Sequence, residues 1–95
     1  MREIGQRVGA ISHTIEETVY LFGFGVYEGD HVPPDGIGFG FPNPRIKLDN
    51  GKTVYGCECW WGSEEKIKFI IGERKVIDVD MDQARKDASR AEVKL

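Results

Sequence analysis

Val54-Tyr55-Gly56-Cys57-Glu58-Cys59-Trp60-Trp61-Gly62-Ser63 is the stretch on which the reading of this chain turns. It predicts a strand that carries both cysteines into both tryptophans and then, through Gly62, into the start of a helix. Successive side chains leave a strand on opposite faces, so adjacent tryptophans at a strand end do not both enter one small core. One of them is expected to meet a ligand or a partner.

Downstream, Ser63 suits the cap of a helix, Glu64 and Glu65 suit the positive end of its dipole, and Ile67, Ile70 and Ile71 form one apolar stripe that Gly72 terminates. Val76-Ile77-Asp78-Val79 then reads as a short strand that closes the sheet. Met81, Ala84 and Ala88, set among many charges, predict a weakly amphipathic helix or tail over 82–95. Upstream, Arg45-Ile46-Lys47-Leu48 and Lys52-Thr53-Val54-Tyr55 flank Asp49-Asn50-Gly51, a strong hairpin signal. A two-residue Asn50-Gly51 turn puts Leu48 opposite Thr53. A three-residue loop with Gly51 left-handed pairs Ile46 with Val54 and Leu48 with Lys52, and is preferred because it matches two β-branched residues across the ladder.

Gln6 to Ile11 predicts a first strand with Val8 and Ala10 on one face, followed by a polar, turn-like Ser12 to Glu17. The longest apolar run, Thr18 to Tyr27, is rich in β-branched and aromatic residues. It reads as a central strand, or as two strands joined by a bend at Gly23 or Gly25, with Glu28-Gly29-Asp30 as the closing turn. Those glycines would admit a ligand or another backbone; a barrel corner is the preferred reading. Residues 31–44 hold Pro33, Pro34, Pro42 and Pro44 with Gly36, Gly38 and Gly40, a composition that predicts a long loop. Ile37, Phe39 and Phe41 between those glycines argue that the loop packs back on something. The fold class expected is therefore mainly β with minor α: a small bent antiparallel sheet or SH3-like partial barrel, one internal helix and a C-terminal helix, in a single domain over 1–95.

Composition narrows the functional classes. A net charge of -3 and a pI near 5.3 argue against binding duplex nucleic acid, which needs a basic stripe to release counterions. No apolar run approaches the roughly 18 residues of a membrane span and the N-terminus has no signal-peptide core, so the expected location is the cytoplasm, with Cys57 and Cys59 reduced and both thiols pointing the same way from their strand.

Chemistry-bearing residues gather in two places. Trp60 and Trp61 can stack a planar ring or anchor an interface; alternatively one caps the barrel and the other covers the Ile67 helix. Backbone N–H groups at Gly62 and Ser63 form a candidate anion site, set against an ordinary capped helix whose positive end Glu64 and Glu65 already occupy. In the loop, Phe39 and Phe41 offer stacking surfaces, Asn43 an amide and Arg45 a phosphate-capable fork, set against a loop pinned by its own aromatics. Gly36-x-Gly38-x-Gly40 lacks the helix and Lys-Ser/Thr of a phosphate loop. Cys57, Cys59, His13 and His31 lack the paired spacing of structural zinc, so neither metal nor cofactor is expected. Asp30, His31 and Glu58 are the acid–base groups near these residues; without a nucleophile elbow, a Cys–His pair or a carboxylate pair, catalysis is the minority reading, a small hydrolase.

In general makeup the chain resembles the small accessory proteins encoded by phages and prophages: compact, acidic, glycine-rich and without enzyme signatures. Within that class it is similar to counter-defence sponge proteins, which sequester host nucleotide second messengers such as cyclic oligonucleotides or cyclic ADP-ribose without cleaving them. That resemblance implies a homo-oligomer in the host cytoplasm, with Trp60, Trp61, Phe39, Phe41, Asn43, Arg45, Gly62 and Ser63 as ligand-binding residues. The alternative is a protein-interaction module or inhibitor in which the same aromatics dock on a host protein.

Overall fold

The computed structural model describes residues 3–93, with side chains described through residue 88. The elements are β1 (Arg7–Ile15), β2 (Thr18–His31), β3 (Asn43–Leu48), β4 (Thr53–Tyr55), a 3₁₀ turn (Gly56–Glu58), β5 (Trp60–Ser63), α1 (Glu64–Ile71), β6 (Lys75–Asp78) and α2 (Met81–Val93). The fold is mainly β with minor α, as expected. Residues 94–95 of the expected C-terminal helix lie outside the described residues.

The sheet runs β4-β3-β2-β1-β5, antiparallel throughout, and β6 joins β2 in parallel. Strand β2 is the hub. Its first half pairs with β6, from Thr18↔Lys75 to Leu21↔Asp78, and its second half pairs with β3, from Gly25↔Leu48 to His31↔Asn43. Between the two the strand bends. Pairing with β1 steps from Ala10↔Gly23 to Ile11↔Leu21, so Phe22 is an extra residue beside Gly23, whose φ of 140° suits glycine. At Gly25 a Cβ would sit 2.0 Å from the Lys47 carbonyl oxygen, because the backbone of β3 crosses there. What approaches Gly25 is thus another strand, at a corner of the sheet.

The bend divides the core in two. Val8, Ala10, Tyr27, Ile46 and Val54 belong to an inner cluster that Met81 of α2 closes. Ile11, Val19 and Leu21 form an outer cluster that Ile67 of α1 covers. Met81 and Ile67, both almost fully buried, each contribute about 2 kcal/mol by area. The helices start where the sequence supplies caps: Ser63 Oγ accepts the Lys66 N–H at 3.2 Å, and Asp80 Oδ2 accepts the Gln83 N–H at 3.0 Å. Gly72 ends α1, donating to Lys68 O at 2.9 Å. No helix among the described residues is long and apolar enough to cross a membrane.

The hairpin follows the preferred register, with Ile46 opposite Val54, Gly51 at φ 89° donating to Leu48 O, and Leu48 donating to Lys52 O. Three other expectations are corrected. Ser12 to Ile15 is strand, and the turn is confined to Glu16 and Glu17, with Glu16 at φ 52°. Cross-strand partners override the local polarity here: the His13 ring stacks on Tyr20 with centroids 4.3 Å apart, and Thr14 pairs with Val19. Glu28-Gly29-Asp30 is a bulge inside β2, so the expected loop over 31–44 shrinks to 32–42; Pro44 is tolerated opposite Asp30 because β4 stops at the Arg45 row. Finally, the strand carrying the tryptophans is interrupted at Gly56–Glu58. The Glu58 carboxylate accepts the Tyr55 N–H at 3.0 Å and Arg85 of α2 at 2.8 Å, which holds the chain in a turn. The cysteines are therefore not on a strand: Cys57 is exposed and Cys59 half-buried.

Candidate functional site

Among the described residues strand β5 pairs with β1 alone, placing Trp60 opposite Ile11 and Trp61 opposite Ala10. Directly paired residues share a face of the sheet, so Trp60 goes to the α1 side and Trp61 to the inner cluster. The Trp61 ring stacks on Tyr27, centroids 5.5 Å apart and planes 17° from parallel, and the Tyr27 hydroxyl donates to Asp30 Oδ1 at 2.7 Å. Trp60 is 76% exposed. It borders a shallow pocket of about 410 Å³ with Ile11, His13, Thr14 and Ile70.

The loop lies on the other side. Its base is pinned: a Cβ on Gly38 would meet Cys57 Sγ at 3.2 Å, and one on Gly56 would meet Pro44 Cδ at 2.8 Å. Phe39 and Phe41 stand clear, 92% and 70% exposed. The polar groups beside them are engaged within the fold. Asn43 Nδ2 donates to Phe41 O at 3.0 Å, and Arg45 Nε donates to Glu28 Oε1 at 3.1 Å.

The Gly62–Ser63 turn is an ordinary helix start. Ser63 caps it, and Glu64 sits in the first turn, held by Arg7 at 3.3 Å. Arg7 also forks onto both Asp49 oxygens at 2.7 Å, which holds the Asp49 carboxyl below its usual range and the guanidinium above its own. The expected site residues thus fall into three places: Trp60 on one face, Trp61 with the loop and its flanks on the other, and the capped helix start.

The acid–base candidates are likewise engaged. Arg85 grips Glu58, whose side chain is only 15% exposed, and bonds the Thr53 carbonyl. His31 Nε2 lies 3.0 Å from the Glu28 carbonyl oxygen. Burial, reinforced by the Glu58 charge, pushes the Cys59 thiol up to about 12, and burial also raises Cys57. A neutral thiol is a poor nucleophile and a poor metal ligand at neutral pH. Among the described residues no group of His, Cys, Asp or Glu is placed to hold a metal ion.

What the sequence reading missed is the ground around Trp60. Thr14, not His13, shares the face of Ile11, because the pairing with β2 shifts at Ser12; that shift breaks the strand period, and the turn-like composition of Ser12 to Glu17 hides the strand. A second cleft, of about 450 Å³, opens where β3 and β6 diverge from β2. Asp49, Asn50, Asp78 and Asp80 lie around it, and Lys52 engages Asp80. No family model, curated protein or solved structure matches this chain.

Proposed function

We propose that this protein is a non-enzymatic binding protein that docks on a partner protein through the face that carries Trp60. The observation that carries this reading is the exposure of Trp60 beside an apolar-walled pocket, on a strand whose neighbouring tryptophan is packed inward. A tryptophan held at a sheet edge by ladder bonds is a low-entropy anchor of the kind that dominates protein interfaces. A pull-down from bacterial lysate with the parent protein and Trp60→Ser tests it: a partner retained by the parent and lost by the variant supports the reading, and equal capture by both removes it.

Sequestration of a nucleotide second messenger is the second reading. It is favoured by Phe39 and Phe41, two exposed rings close in sequence to Arg45. It ranks second because the polar groups expected to bind phosphate have partners inside the fold: Arg45 with Glu28, Asn43 with Phe41, and the Gly62–Ser63 turn with its own cap. The phage or prophage counter-defence role belongs to this reading. Thermal unfolding against cyclic oligonucleotides, cyclic ADP-ribose isomers, NAD and ATP separates the two. A ligand at 100 times its dissociation constant adds about 2.7 kcal/mol, a shift of roughly ten degrees or more in a domain this size. A sponge returns that ligand intact on denaturation, and a flat panel leaves protein docking.

A further inference from the structure

Every strand edge in a sheet is a row of unpaired N–H and C=O groups, and folds blunt such rows to prevent unwanted pairing. Three edges here are blunted. The outer edge of β4 is only three residues long, and Arg85 Nη2 donates to its Thr53 carbonyl at 2.9 Å. The part of β3 that β4 leaves uncovered carries Pro44. Strand β6 carries Lys75 and Asp78 at its ends. The outer edge of β1 beyond Ile11 has a single such device, a bulge at Ser12 where the pairing with β2 steps from Ile11↔Leu21 to His13↔Tyr20, and past it no strand among the described residues covers β1. Strand β5 covers β1 only from Val8 to Ile11, whereas β2 follows its other edge to Ile15. Ser12 to Ile15 therefore offers an uncovered edge with no proline and no formal charge, flanked by Trp60 at one end and by Glu16 and Glu17 at the other.

We infer that this edge, resting on the docking role proposed for Trp60, takes up an extended peptide segment of the partner as an added strand in line with β5. The polarity of β5 fixes the direction: a segment collinear with it runs antiparallel to β1 and ends against Trp60. The residue opposite Thr14 shares the face of Val19 and Ile11, so its side chain enters the pocket between Trp60 and Ile70. Residues just before it pass Glu16 and Glu17. Charge complementarity thus selects a segment with one or two cationic residues about two to three positions before a bulky apolar one.

A short linear segment fits this edge better than a second copy of the chain. Four strand residues span roughly 13 Å, and with one tryptophan they offer far less than the roughly 800 Å² per partner of a stable interface between folded proteins. Peptide strands bind on such small areas because backbone hydrogen bonds supply much of the affinity.

The experiment is selection of a random heptapeptide display library on the intact protein, followed by titration of synthetic copies of the enriched peptides by tryptophan fluorescence. Expected are peptides with the cationic-then-apolar pattern, whose binding falls at least tenfold in Trp60→Ser and in Thr14→Arg, which fills the pocket from an exposed position. Glu16→Gln with Glu17→Gln should weaken binding several-fold, more at low salt. N-methylation of alternate peptide residues, which removes ladder donors and keeps side chains, should abolish it. Failure to enrich any peptide overturns the inference, as does binding that is indifferent to N-methylation. Sedimentation showing a dimer that excludes peptide and is broken by Trp60→Ser would instead assign the edge to a second copy. Partner capture that needs Trp60 while no peptide binding depends on backbone N–H groups leaves the docking role standing and removes the added strand.

Discussion

Trp60 and Trp61 are neighbours in the chain and opposites in the molecule. Trp61 lies on Tyr27 against the inner cluster that Met81 of α2 closes, whereas Trp60 lies over an open pocket beside an unpaired edge. Strand alternation alone separates them, so the difference is one of position and not of chemistry. The comparison teaches that a conspicuous pair of residues need not form one site: one face of β5 is packed into the core, and the other carries an exposed ring. It breaks most directly by alanine substitution. Trp61→Ala should cost about 2 to 3 kcal/mol of stability, since it empties a half-buried aromatic site against the inner cluster. Trp60→Ala should change stability by less than about 1 kcal/mol and act on binding instead. Urea unfolding of both variants decides; equal losses would mean that Trp60 is also structural.

A second break is on the inner side alone. Glu58 accepts the Tyr55 N–H and the Arg85 fork with its side chain largely buried, and Arg85 is itself about one-third exposed. Glu58→Ala leaves both donors without that acceptor and should cost about 2 kcal/mol, tempered by water reaching Arg85. Far-UV circular dichroism at moderate urea should show α2 loosening first. Peptide or partner binding at Trp60 should survive under native conditions, and its loss would show that the two faces are coupled.

The loop aromatics extend the comparison to a third region. Phe39 and Phe41 touch little of the fold, so Phe39→Ser with Phe41→Ser should leave stability within about 0.5 kcal/mol. If the variant loses a nucleotide-induced thermal shift that the parent shows, binding belongs to the loop and not to the Trp60 face. If stability falls by more than about 1 kcal/mol, the loop packs where its exposure says it does not.

How far the sequence foretold these regions depended on how local the signal was. The Asp49-Asn50-Gly51 hairpin, the Ser63 cap with its Ile67 stripe and the Gly72 stop are written in adjacent residues, and each took the expected form. The opposition of Trp60 and Trp61 was legible for the same reason. The interruption at Gly56–Glu58 was not, because the Glu58 carboxylate that accepts the Tyr55 N–H is also gripped by Arg85, distant in sequence. The strand character of Ser12 to Ile15 was likewise imposed from outside, by Tyr20 and Val19 across the ladder. The free edge beside Trp60, which depends on where β5 stops, had no local signature. Nor did the ion pair that Arg45 Nε makes with Glu28, seventeen residues away in the chain.

The gentlest probe is acid. On the inner side, Lys52 engages Asp80 and lies 3.0 Å from Asp82, and Asp80 also caps α2. The Lys52 hydrogen bond first, then the Gln83 N–H, hold the Asp80 carboxyl below its ordinary value of 3.8. A carboxyl whose folded value is depressed binds protons more readily when unfolded. Its stabilising contribution is therefore complete above roughly pH 5 and drains as pH falls below 3.8 through the lower folded value. These groups are exposed and screened by solvent, so the expected effect is small and shrinks further with added salt. It should also be local. The uncovered edge, Ser12 to Ile15, carries no carboxylate, so amide exchange at Gln83 to Arg85 should quicken on acidification before the β1–β2 ladder opens. Asp80→Asn keeps a capping oxygen and removes the charge, so it should flatten this acid response while leaving the start of α2 intact. Simultaneous loosening of both regions would mean that the two faces of β5 unfold as one unit, and that a partner bound at Trp60 stabilises the Trp61 side as well.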